Sequence, residues 1–461
     1  MKYFKTVILF LLCSSLYATP VRIIGMGSLD LIIEDESNRI NLFDYGKNVA
    51  GLYGDENGSS IETYITYGNI KSSDSSGTRD PEISYWGVPL PADIFEPPQD
   101  IKIKVNFLSS SMLGIPVGAN VTYRMEGGFA FNCSGAFSST RAKNDSSSRE
   151  DNVSLPIGRV IVSRNFGMYA AGISGSHSKI RLTNNRNDNE TYGILKGLDA
   201  SVAAHLSPMS EIGIRGGFAI PEGGRKYWGE ENSFKGKALS VGVQAINRVP
   251  GLYKFGTRIN FLNANLDGRV TPGVISGYTG EMSGTDFDFG SRLLIASFLF
   301  PIKLGANLDY RKLHPVYKDD EGTTQFDNSL TMINTGLGVS YAMPLLTPGL
   351  QYNLYNAAST DNLDDEKTNS SFWDIRFGGE FNLTPITLRA GFIIAKDDPN
   401  KDREDDEYES RSITLGAGLQ LPLQPFKFEV AYINKETKPT DNPTEQKEVN
   451  NSIYTAFKMK F

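Results

Sequence analysis

The chain has 461 residues, with 53 acidic against 46 basic side chains and a formal net charge of −7. A nucleic-acid partner needs a basic face, so this balance argues for no nucleic acid among its partners. Gly 46, Tyr 21 and Phe 26 suit a β-rich chain with aromatic belts. The mean hydropathy of −0.28 looks soluble, yet strands that alternate lipid-facing and lumen-facing residues average out the same way.

Residues 1–18 read as a signal peptide. Lys2 and Lys5 supply the positive start and Thr6 to Leu12 a short apolar run, with Ala18 as its final residue. The run is too short to span a bilayer, and Leu12 is too large for a lipid-attachment motif at Cys13. Removal of the signal leaves Cys133 as the single cysteine, so no intrachain disulfide is expected. No later stretch reaches the roughly 20 apolar residues of a spanning helix. The longest, Leu293 to Ile302, is broken by Ser297 and Pro301.

Residues 19–60 precede the regular pattern. Within them, Ile40 to Leu52 reads INLFDYGKNVAGL. Asn48, Ala50, Gly51 and Leu52 match an Asn-Pro-Ala-Gly-Leu segment near the start of FadL-type transporters of hydrophobic compounds, with Val49 in place of the proline. The stretch resembles that family. The resemblance implies an N-terminal segment folded into the lumen as a plug. Read from the residues alone, it is equally a periplasmic lead-in with a turn at Asn48.

From residue 61 to 461 the chain becomes rhythmic. Ile61 to Tyr67 and Ile101 to Phe107 alternate as strands. Lys71 to Arg79 reads as a loop, and Pro81 to Pro98 as too proline-rich for central sheet. Tight turns are expected near Glu126, Asn165, Pro208, Pro250, Pro301, Pro348, Pro385 and Pro425. Between them fall long polar loops: 138–155, 182–193, 221–234, 267–283, 314–328, 357–370, 396–409 and 436–450. Strict alternation of short and long connections is what periplasmic turns and extracellular loops produce. The expected fold is all-β: a transmembrane antiparallel up-and-down β-barrel of about 18 strands, within roughly 16 to 20, both termini periplasmic.

Strand parity carries the site expectations. Leu415, Ala417 and Leu419 oppose Thr414, Gly416 and Gly418; Ile375 and Phe377 oppose Asp374, Arg376 and Gly378. Arg215, Arg258, Arg376 and Arg389 fall on polar parities, as do Asp309, Asp374, Glu380 and Glu429. They serve either as a field that selects solutes or as salt bridges that hold the wall or grip a plug. At the end of the chain, Ile453, Phe457, Met459 and Phe461 share one face against Tyr454, Ala456, Lys458 and Lys460. This resembles the final-strand signal of outer-membrane barrels, which implies the barrel-assembly machinery and outer-membrane lipids as partners.

Catalytic signals are sparse. His177, His205 and His314 have no metal-ligand spacing, and Ser174 opposes His177 in parity. Asp398, Asn400, Asp402 and Glu409 match the acidic spacing of an EF-hand loop, but Arg403 stands where glycine is required. No cofactor, metal or catalytic residue is expected. The sequence points to a non-enzymatic barrel in a bacterial outer membrane. It passes small or hydrophobic solutes, or alternatively displays its loops to a partner.

Overall fold

The computed structural model describes residues 20–29, 59–87 except 75–76, and 117–460. Within the last range it leaves out 145–148, 185–188, 208, 228–229, 250–251, 270–279, 297–300, 320, 364–366, 399–406, 422–424 and 441–446. The signal peptide, Asn48 to Leu52, Ile101 to Phe107, most of the EF-hand-like spacing and Phe461 lie outside the described residues.

One short helix, α1 (Pro20–Gly25), precedes the strands. They are β1 (Ser60–Asp74), β2 (Gly77–Trp86), β3 (Val117–Arg124), β4 (Phe129–Asn144), β5 (Arg149–Asn165), β6 (Tyr169–Asn184) and β7 (Asn189–Ser207). Next come β8 (Ser210–Tyr227), β9 (Glu230–Val249), β10 (Tyr253–Arg269), β11 (Gly280–Ala296), β12 (Ile302–Asp319) and β13 (Thr324–Tyr341). The last are β14 (Leu346–Asp361), β15 (Lys367–Leu383), β16 (Ile386–Asp398), β17 (Tyr408–Leu419), β18 (Phe426–Pro439) and β19 (Lys447–Lys460).

From β3 onward each strand pairs antiparallel with the next in the chain, and β19 returns to β1 from Ser60↔Lys460 to Ser73↔Lys447. Closure leaves no free edge to aggregate. β2 and β3 share one place in the wall. β2 covers the loop-side halves of β1 and β4 (Tyr67↔Trp86, Trp86↔Ser139), and β3 the other halves (Tyr64↔Gly118, Val117↔Phe137). The wall therefore has 18 positions. The expected number holds, but its first places belong to β1 and the shared β2/β3.

Three local expectations are corrected. Residues 71–79 are not a loop, because β1 runs to Asp74 and β2 begins at Gly77. Pro81 lies inside β2, where the β1 register slips between Ile70 and Ser72 and the β4 ladder starts only at Glu82. No pairing there needs its missing N–H. Pro348 lies inside β14 rather than in the turn: the ladder with β13 stops at Gly349, which again frees the proline. The long loops are also shorter than expected. β4 and β5 flank only 145–148, and β12 and β13 close around 320–323. These hairpins carry polar residues on both faces, so the pairing leaves no alternation to read.

Burial is inverted relative to a soluble protein. Leu337, Leu239, Ile214 and Phe377 are 58–65% exposed on the outer face, whereas Glu429, Thr414 and Arg376 are at most 3% exposed on the inner one. A soluble core would do the reverse. The chain is a transmembrane β-barrel. A strand needs only about 9–11 residues to cross, and β9 has 20, so the loop-side halves project beyond the apolar band. Leu337 is central in the band of β13, which runs from Ile333 to Tyr341. L337R will cost about 2–4 kcal/mol in a urea titration of the barrel folded into liposomes, as expected for arginine at the bilayer midplane.

The final strand follows the same rule. Ile453 and Phe457 are exposed outward, Met459 is half-buried, and Tyr454, Ala456 and Lys458 are buried on the lumenal side.

Candidate functional site

Arg215, Arg258, Arg376, Arg389, Asp374 and Glu380 all lie on the inner face. The strands assemble them into a belt around the barrel. Lys458 Nζ meets Glu62 Oε1 at 2.5 Å across the β1–β19 closure, and Tyr64 donates to the other Glu62 oxygen. Arg159 bonds Ser174, which bonds Asp199, which pairs with Arg215 at 3.3 Å. Arg258 stands between Asp288 (3.2 Å) and Asp309 (3.6 Å), and Arg311 pairs with Asp286 at 2.6 Å. Arg376 makes a bidentate pair with Asp374, at 2.9 and 2.8 Å. Arg389 joins Glu380 (2.8 Å) to Glu429 (2.9 Å), and Lys427 adds a 3.0 Å contact to Glu429.

The pairs named here contain basic and acidic side chains in equal number. A balanced belt imposes little charge selection as a whole, and each charge finds the partner that an interior position demands. Its sectors differ in exposure. The side chains of Glu380, Arg389 and Glu429 are at most 4% exposed. Those of Arg258, Asp309 and Arg311 are 36–47% exposed.

The buried sector is covered by the start of the described chain. Residues 20–29 lie against β15 to β18, where Arg22 bonds Glu380 through Nε (2.8 Å) and Nη2 (2.9 Å). Arg376 donates to the Ser28 carbonyl at 2.7 Å, and Thr414 to the Gly25 carbonyl at 3.2 Å. Glycines make this approach possible. A Cβ on Gly378 would overlap the Met26 carbonyl, and one on Gly391 would overlap Gly27. Gly27 itself has φ +74°, which turns the chain after α1 as a left-handed helix end, closed by Ser28 N–H to the Ile23 carbonyl at 2.9 Å. Ile24 packs with Tyr64, Ala431, Ile433 and Tyr454, while Met26 and Leu29 are wholly buried. The sequence marked the polar parity as a wet interior; in this sector it is instead a dry seat. A glycine on three adjacent strands, Gly378, Gly391 and Gly416, was the available signal.

Toward the loop-side ends the same inner parity turns apolar on β7, β12, β13, β15 and β16, whereas β6, β17 and β19 stay polar through Ser176, Ser412 and Ser452. Leu195 continues the face of Asp199, Leu313 that of Asp309 and Arg311, and Leu330 and Met332 that of Asn334. Phe372 follows Asp374 and contacts Tyr355 at a ring distance of 5.4 Å; Ile393 and Ala395 follow Arg389. Leu313 sits directly opposite Leu330. An apolar arc on β12 to β16, with Leu195 apart from it on β7, thus stands above the charged belt.

Two of the three histidines take structural partners. His205 faces Glu211 at 3.4 Å, and His314 meets Asp327 at 2.8 Å near the loop-side rim. Asn362 and His314 hold the Asp327 carboxyl below the usual carboxylate range. Among the described residues no group of His, Cys, Asp and Glu could hold a metal ion.

No protein-family model matches the chain, and no curated protein matches it in sequence. Solved structures similar to it include the toluene transporter TodX of P. putida, at 12% identity and a TM-score of 0.35, covering 96% of this chain and 98% of that one. A FadL homologue of Pseudomonas aeruginosa is 13% identical over 95% and 97% of the two chains, with a TM-score of 0.35. The ferric preacinetobactin receptor BauA of Acinetobacter baumannii is 6% identical over 85% and 80%, with a TM-score of 0.42. At these values no function passes from them to this chain.

Proposed function

We propose that the barrel is a non-enzymatic conduit of a bacterial outer membrane that admits hydrophobic compounds from the loop side. Its short turns and both termini then face the periplasm. The observation that carries this reading is the apolar arc. Leu195, Leu313, Leu330, Met332, Phe372 and Ile393 face the lumen, where a pore for hydrated solutes would place polar groups. Below it, Pro20–Leu29 acts as part of a stopper seated on β15 to β18.

The test is planar-bilayer recording of the refolded mature protein beside a variant lacking residues 21–58. The expected result is a quiet full-length barrel and steady conductance after truncation. Saturable binding of a radiolabelled apolar compound to the detergent-solubilised full-length barrel, weakened by L313N, should accompany it. Large conductance from both proteins would overturn the stopper. Silence from both, with folding verified, would favour the alternative of loop-mediated binding to a partner.

A further inference from the structure

We propose that a basic patch on the outer face of β6 to β9 docks the phosphate groups of a glycolipid in the loop-side leaflet. The proposal goes beyond the conduit reading and takes from it only the bacterial outer membrane as the setting.

Four lysines carry the patch, at and just above the loop-side end of the apolar band. Lys196 follows Leu198 on the outer parity of β7, and Lys237 and Lys235 follow Leu239 on that of β9. Leu198 and Leu239 are both 60% exposed, as lipid-facing residues are. Lys179 of β6 places its ammonium 6.0 Å from the centre of the Tyr192 ring. On β8, Glu222 accepts from Lys196 (3.3 Å) and from Lys235 (3.4 Å), which draws two ammoniums toward one point. One carboxylate cannot neutralise both, and the two lysines remain 50% and 73% exposed.

The neighbouring charges leave this excess standing. Arg181 pairs with Glu190 at 2.7 Å, and the register sets Lys226 opposite Glu231. It also sets Asp267 of β10 opposite Lys235. With Glu222 and Asp267 both counted, the four lysines keep two positive charges in excess. On the adjoining strands Arg141 and Lys143 outnumber Glu150, so the excess continues across β4 and β5. The far wall is different. Just above its band, β13 to β15 present Thr331, Asn356, Ala358 and Ser371. On β16 to β19, Lys396, Arg411 and Lys447 are held by Glu407, Glu409 and Glu436. A barrel wall therefore does not need unbalanced lysines where its apolar band ends.

The surroundings narrow the partner to a lipid. Ile194 lies opposite both Lys179 and Glu222, and Ile220 lies opposite Lys196, so apolar and cationic groups alternate on one face. A freely dissolved anion gains nothing from the isoleucines. A lipid gains from both, because its acyl chains cover the band while lysines at this height lift their ammoniums to the head groups. Phosphates on a sugar head group give each lysine a compact, doubly charged acceptor.

The experiment is native mass spectrometry of the full mature chain, folded in detergent and titrated with diphosphorylated lipid A. The parent should bind it, and should bind the same lipid freed of its phosphates far more weakly. K196Q, K235Q and K237Q together should weaken binding about a hundredfold, since each lysine near an anionic head group contributes about fivefold. K196R, K235R and K237R together should bind as the parent does. So should a matched control elsewhere on the outer face, K312Q with K318Q and K396Q. Heat-modifiable gel mobility checks that every variant is folded. Unchanged binding by the glutamine triple, an equal loss in the control, or equal binding of the two lipids would each overturn the proposal. Full displacement by inorganic phosphate would do so as well, by marking a site for the free ion. Lipid binding by a barrel that stays silent before and after truncation would keep this site and sink the conduit.

Discussion

Replacing Arg389 with methionine will destabilise the barrel by about 3–5 kcal/mol, the expected cost of removing one partner from a buried ion network. Arg389 is the hub of its sector, with bonds to Glu380 at 2.8 Å and to Glu429 at 2.9 Å, and all three side chains are at most 4% exposed. Among the described residues, Glu429 then keeps its contact with Lys427 and Glu380 its contact with Arg22. The wall can shed neither charge into lipid, because these groups face inward under the N-terminal segment. Urea titration of the folded barrel in liposomes, read as loss of heat-modifiable gel mobility, measures the change. R389K should lose less than R389M, since the ammonium keeps the positive charge between Glu380 and Glu429 although it cannot fork to both. Equal stability of the single variant and the parent would mean that water already reaches the network.

The second large effect is expected at Gly391. Its Cβ position is filled by the backbone of Gly27, so G391V cannot be accommodated by a change of rotamer. Either the wall or the segment must move. The wall is held on both sides by ladders with β15 and β17, whereas residues 20–29 are held by the Arg22, Arg376 and Thr414 contacts. The segment should leave its seat. Overpacking of about 1–3 kcal/mol corresponds to a rise of about five- to 150-fold in the open population. Trypsin cleavage after Arg22, protected in the parent by its two bonds to Glu380, is the readout, with barrel mobility on a gel as the folding control. Cleavage as slow as in the parent would mean that the seat tolerates the branch and that the glycine path is not what admits the segment.

Most of the architecture is legible in the chain itself. Leu415 against Thr414, or Ile375 against Asp374 and Arg376, encodes two faces of opposite character with period two. Alternating short and long connections add the up-and-down order. These signals are local, so no partner strand has to be known to read them. Sequence reading was weakest where both faces are polar, as in the hairpins above the bilayer, because there pairing changes no pattern. It also misplaced Pro81 and Pro348, whose tolerance depends on where a neighbouring ladder starts or stops.

What each inner charge does was decided by the tertiary structure alone. Parity put Arg258 and Arg389 on the same kind of face. Closure brought Arg389 between Glu380 and Glu429 and beneath a segment that starts more than 360 residues earlier. Arg258 remained between two aspartates on exposed wall. The sequence determined that the wall is a barrel with a charged inside and an apolar outside, because side-chain direction follows strand period. Which inner charges lie dry and which lie exposed depended on contacts between residues hundreds of positions apart, and only the closed barrel brings those together.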